Sequence, residues 1–106
     1  MNEYKLKELT KKVKEVMVDY EKRYPEVKVD RDYFPFKITE EWGECLQTYL
    51  MLTKRGRQKG KTKKEIKELF EQEFADVLGF LLLFAENEKI DLEKALKNKW
   101  FAYLKK

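Results

Sequence analysis

Leu6, Leu9, Val13, Val16, Met17 and Tyr20 recur at intervals of three and four, with lysines and glutamates between them. That period predicts an amphipathic helix over residues 2–24, with Tyr24 closing the stripe and Pro25 stopping the helix. Residues 25–37 lack the period and read as a connection, although Tyr33, Phe34 and Phe36 are aromatic enough to cover a core or line a pocket. The pattern returns in a second helix that starts between Pro35 and Thr39 and runs to about Thr53. Its expected stripe is Ile38, Trp42, Cys45, Leu46, Tyr49 and Leu52. Residues 54–61 form a basic, glycine-containing loop. Thr62 with Glu65 three residues on is a capping-box pattern, and it opens a third helix over residues 63–86. Here Ile66, Leu69, Phe70, Val77, Leu78, Leu81, Leu82 and Ala85 make the apolar face. Asp91 is the expected cap of a fourth helix, in which Leu92, Ala95, Leu96, Lys99, Tyr103 and Lys106 keep helical spacing. The expected fold is all-α, a four-helix, bundle-like single domain spanning residues 1–106.

Composition supports helices and narrows the chemistry. Four Gly and two Pro in 106 residues disfavour a turn-rich β fold. Lys and Arg number 24 against 20 acidic residues, and seven of the basic residues lie between Lys54 and Lys64. The absence of histidine excludes Ser-His and Cys-His triads and the Glu-x-x-His pattern of di-iron bundles, so a metal site must be oxygen-rich. The single Cys45 fits a reducing compartment and reads as a small buried hydrophobe. No apolar signal core or membrane-length run is present, so a cytoplasmic location without membrane contact is expected.

The chemistry lies in two acidic steps. Glu41-Trp42-Gly43-Glu44 and Glu73-Phe74-Ala75-Asp76 each place two carboxylates three residues apart, on one face of a helix. A lone pair of that kind is ordinarily a solvated face. These two are set among apolar residues on helices that must pack, and four carboxylates near one interface repel one another unless a cation neutralises them. Oxygen donors of this kind suit Mg²⁺, which bridges carboxylates and phosphate oxygens and activates water. Glu40 adjoins the first pair but points about 100° away from Glu41, as a catalytic base or an exposed helix-start acid.

The stretch Ile38-Thr39-Glu40-Glu41-Trp42-Gly43-Glu44-Cys45-Leu46-Gln47 resembles the first signature of the MazG-like all-α nucleoside triphosphate pyrophosphohydrolases. Glu73-Phe74-Ala75-Asp76-Val77-Leu78 resembles the second, and Ile90-Asp91-Leu92-Glu93-Lys94-Ala95-Leu96 the turn into the last helix. The resemblance covers residues 38–106. It implies a Mg²⁺ site made by Glu41, Glu44, Glu73 and Asp76. It also implies hydrolysis of a nucleoside or deoxynucleoside triphosphate to monophosphate and pyrophosphate, and a homodimer or homotetramer. Lys99 matches a family lysine, whereas Tyr103 and Lys106 stand where an Asn and an Arg are expected, which bears on substrate contacts.

Phe36 and Tyr103 are further candidates for stacking on the base, and Lys54, Lys99 and Lys106 for binding phosphates. Trp42 is assigned to the core by its spacing from Ile38 and Leu46. Two other functions compete. One is a non-enzymatic helical module that binds nucleic acid through the 54–64 basic stretch, which the acidic quartet disfavours. The other is a regulatory oligomer that retains the fold without turnover.

Overall fold

The computed structural model describes residues 5–104, and every regular element in that range is helical. The order is α1 (Leu6–Arg23), α2 (Tyr33–Leu52), α3 (Lys63–Asn87) and α4 (Leu92–Lys99), followed by a single 3-10 turn over Phe101–Tyr103. The all-α expectation with four helices therefore holds. Lys106 lies outside the described residues.

Helices α2 and α3 form the centre as an antiparallel pair. Trp42 meets Phe74 with ring centroids 6.2 Å apart, and Tyr49 meets Phe70 at 5.8 Å, so the two helices run in opposite directions. Helix α1 lies along the second half of α3, where Met17, Leu83 and Phe34 form the principal core cluster. Val13, Tyr20, Tyr33 and Phe80 pack around it.

The start of α2 corrects the expected boundary. The helix begins at Tyr33, inside the segment expected to be a connection. Pro35 sits in its first turn, where the missing N–H would have no helical acceptor anyway. The Tyr33 N–H is taken by Asp30 Oδ1 at 3.1 Å. Starting there turns Phe34 into the core. The buried stripe also differs from the expected one: Phe34, Glu41, Cys45, Thr48 and Met51 are buried, while Trp42, Leu46 and Tyr49 are not. Cys45 is fully buried, as expected. Thr48 is satisfied by donating its hydroxyl to the Cys45 carbonyl oxygen at 2.6 Å.

Helix α3 starts where its capping box predicts. Glu65 N–H donates to Thr62 Oγ1 at 3.1 Å, and Thr62 N–H donates back to Glu65 Oε1 at 2.8 Å. Ile66, Val77, Leu82 and Ala85 are buried as expected, but Leu78 and Leu81 remain half exposed, because α1 covers a different side of α3. The basic loop is tied to the end of α2. The N–H groups of Arg55 and Gly56 both bond the Leu50 carbonyl oxygen, and Gln58 Nε2 donates to the Met51 carbonyl oxygen at 2.9 Å.

Helix α4 has its expected cap, with Asp91 Oδ1 accepting from Lys94 N–H at 3.1 Å. It ends at Lys99, however, and no residue of it is buried. Lys99 and Tyr103 therefore do not share one straight helix. With α4 standing off, the radius of gyration is 16.6 Å, against about 13 Å for a compact chain of this length.

Candidate metal centre

Glu41 is in the buried stripe of α2 because that stripe is centred between Phe34 and Cys45. Glu73 and Asp76 lie where α3 faces it. One carboxylate oxygen from each of Glu41, Glu73 and Asp76 falls within 4.8 Å of the others. Glu41 is only 9 % exposed. Two of the oxygens, Glu41 Oε2 and Glu73 Oε2, are buried without any hydrogen-bond donor. An unpartnered carboxylate oxygen inside a protein is costly, and two within one acidic group are costlier still. A divalent cation would satisfy both. An all-oxygen donor set fits a hard ion with oxygen preference, so the residues fit the group that the sequence implied.

The electrostatics agree with this geometry. Burial raises the Glu73 carboxyl above its ordinary value, and the nearby Asp76 and Glu41 charges raise it further. Asp76 is raised by burial and by Glu41, with Lys37 opposing. Glu44, the fourth expected ligand, is exposed at the edge of the group. A hydrogen bond shared with Glu41 raises it, and the charges of Glu41 and Glu73 add to the effect. Three of the four expected carboxylates thus converge, and the fourth joins them through Glu41.

Lys37 is the site residue that sequence reasoning missed. Its ammonium pairs with Glu40 and lies 3.4 Å from Glu41 Oε1. Burial alone would lower the Lys37 pKa, but the two ion pairs outweigh it and the value rises. The signal was present, since Lys37 precedes Glu41 by one helical turn. Glu40 is exposed and held by Lys37, away from the converging oxygens.

A cavity of about 390 Å³ opens beside the carboxylates, between α1, the start of α2 and α3. Val13, Met17, Tyr20, Tyr33 and Phe80 form its walls, and Lys37, Glu41 and Asp76 its polar end. The Tyr33 and Phe80 rings meet at 6.3 Å, and Lys37 Nζ lies 5.5 Å from the Phe80 ring centroid. Burial raises the Tyr33 hydroxyl pKa. Phe80 was legible in principle, one turn after Asp76 on the same face. Tyr20 was not, because its approach depends on how α1 docks. Two larger grooves, of about 540 and 750 Å³, lie at the ends of α1 and α3 and touch none of the carboxylates. Chemistry, not size, selects the smaller one.

The expected substrate contacts are not brought to this cavity. Phe36 is 72 % exposed and does not line it. Lys54 lies beyond the end of α2, about 20 Å from Glu41 at 1.5 Å per residue, against Met51 and Ile66. Lys99 and Tyr103 are exposed on α4 and the turn after it, with Tyr103 79 % exposed.

Comparison with known proteins adds no relative. No family model matches the chain, and no match is found among curated proteins or solved structures. The likeness to MazG-like enzymes therefore rests on the signature residues themselves. Among the described residues, no helix is long and apolar enough to cross a membrane.

Proposed function

We propose that this chain is a Mg²⁺-dependent hydrolase that converts a nucleoside or deoxynucleoside triphosphate to its monophosphate and pyrophosphate, as the MazG-like signatures imply. The observation that carries this reading is the convergence of Glu41, Glu73 and Asp76, with two buried and unpartnered oxygens, at the mouth of an aromatic cavity. A volume of about 390 Å³ falls within the roughly 300–1,000 Å³ typical of small-molecule sites.

Glu41, Glu73 and Asp76 would hold the cation, with Glu44 closing the set from the exposed side. When bound, the cation supplies neutralisation of phosphate charge and acidification of water. Tyr20, Tyr33 and Phe80 would receive the flat apolar base, edge or face, and keep bulk solvent from that end of the site. Lys37 would direct its ammonium to phosphate oxygens as a movable point charge, with Glu40 holding the side chain in place. In the reaction, water oxygen forms a bond to the α-phosphorus, and the bond from that phosphorus to the α–β bridging oxygen breaks. Pyrophosphate leaves with the bridging oxygen, and the proton from water passes to a carboxylate of the cluster.

The test is pyrophosphate release from a panel of NTPs and dNTPs, with Mg²⁺ and with excess chelator. Release that requires Mg²⁺ is expected for at least one substrate, and the panel gives base and sugar preference together. No release from any member, by protein that is helical and binds Mg²⁺, would overturn the proposed reaction and favour a regulatory member of the fold.

A further inference from the structure

The carboxylate group already has a positive neighbour within the chain. Lys37 extends from the turn of α2 before Glu41, and its side chain is 26 % exposed. The ammonium is shared between two carboxylates: it pairs with Glu40 outside the converging oxygens and lies 3.4 Å from Glu41 Oε1. Its charge also acts on Asp76, where it opposes the rise caused by burial and Glu41. The charges that act on Glu73 are those of Asp76 and Glu41, and both raise it. Lys37 therefore neutralises one edge of the group, while Glu41 Oε2 and Glu73 Oε2 have no donor.

We infer that Lys37 is the counter-ion of this group in the metal-free chain and gives up Glu41 for the substrate's phosphates, which makes cation and triphosphate bind better together than apart. The inference rests on reading the group as a cation site. The first argument is charge. Lys37 holds one oxygen of Glu41, and the other is buried and unpartnered. An ammonium so close to a ligand carboxylate repels a divalent cation and weakens its binding to the empty site. The second argument is reach. Lys37 lines the same cavity as Glu41 and Asp76, and its Nζ lies 5.5 Å from the Phe80 ring centroid. The ammonium thus stands where the carboxylates meet the space open to a substrate, and its flexible four-carbon stem can turn from one to the other. The third is Glu40. Its bond keeps a carboxylate on the ammonium when a cation takes Glu41, so the charge is never left unpaired. A triphosphate that draws Lys37 from Glu41 removes the repulsion, and by linkage each ligand raises the other's affinity by the same factor.

The test uses the full chain free of nucleotide, titrated with Mg²⁺ by calorimetry and melted both in chelator and in saturating Mg²⁺. Lys37→Met removes the charge and keeps most of the stem. It should bind Mg²⁺ about tenfold more tightly than the parent, a factor usual for coupled sites. It should also melt lower in chelator, because the carboxylates lose their counter-ion, and recover in Mg²⁺. Lys37→Arg keeps the charge and should bind Mg²⁺ as the parent does. A lysine that served only packing would give no gain in Mg²⁺ affinity. In Mg²⁺-dependent pyrophosphate release, Lys37→Met should raise KM about tenfold or more. Unchanged or weaker Mg²⁺ binding by folded Lys37→Met would overturn the inference and leave the metal centre standing. So would an unchanged KM, or Mg²⁺ binding by Lys37→Arg as tight as that of Lys37→Met. No Mg²⁺ binding by parent or variant at millimolar concentration would overturn the metal centre itself, and the inference with it.

Discussion

On the side of the α2–α3 pair that faces α1, the Glu41 carboxylate is buried where a core ordinarily holds hydrocarbon. On the opposite side, aromatic and aliphatic side chains are exposed where a helix surface ordinarily holds charge. Glu41 and Trp42 are consecutive residues, yet Glu41 is 9 % exposed and Trp42 is 43 % exposed. Both departures cost stability in the isolated chain: the first by desolvating charge, the second by leaving apolar area in water. A cation bound at the carboxylates would offset the first and leave the second, so the two sides should respond to different perturbations.

The largest separation should come from Glu73→Gln. The amide keeps the shape and can donate to the neighbouring carboxylates, but it removes one negative charge from the group. Mg²⁺-dependent pyrophosphate release should fall about 100-fold or more, while melting temperature in chelator stays level or rises. A large loss of stability in chelator would instead make Glu73 a structural residue.

Mg²⁺ should produce the next largest effect. At about 100 times its dissociation constant it should stabilise the folded chain by about 2.7 kcal/mol, or about 10 °C or more for a domain of this size. The increment should grow with pH. Glu73 and Asp76 have folded-state pKa values raised above their ordinary 4.5 and 3.8. In the window above those values the folded state therefore binds more protons than the unfolded state, and metal-free stability falls as pH rises. Glu65, lowered by its bonds to Thr62, and Glu88, lowered by Arg31, act in the opposite sense. Their contribution is present above 4.5 and is lost as pH falls below it. Melting curves from pH ~4.5 to ~7, with Mg²⁺ and with chelator, should therefore diverge upward. An increment that is flat with pH would separate the cation from these carboxylates.

The smallest effect should come from the apolar side. Leu78→Ser, at a half-exposed position, should change stability by only about 0.5 kcal/mol. Leu82→Ala, four residues on and 3 % exposed, should cost about 2–5 kcal/mol. Denaturant titrations at low concentration check both. Equal costs would mean that Leu78 is packed as tightly as Leu82.

Local rules in the sequence were strong where the chain bonds to itself. The Thr62–Glu65 box, the Asp91 cap and the bounds of α3 depend on residues within one turn, and they appear as expected. The convergence of Glu41, Glu73 and Asp76 was legible because i,i+3 spacing fixes each pair on a helix and only one approach of the two helices remained to be made. Lys37 could have been found by the same one-turn rule. The start of α2 was obscured by Pro35, which usually marks a break and here sits where the first turn lacks an acceptor for its N–H.

The sequence by itself determined an all-helical chain, the local caps, and which helix segments present paired carboxylates, because these follow from backbone bonding and a 3.6-residue period. Only the tertiary structure decided which side of α2 is inside. Periodicity marks an apolar stripe without saying what covers it, and the packing of α2 on α3 left Glu41 buried while Trp42, Leu46 and Phe74 stay half exposed. It also decided that Phe36, Lys54, Lys99 and Tyr103 stand apart from the carboxylates. Their distance is set by where α2 begins and where α4 ends, and no local spacing encodes that.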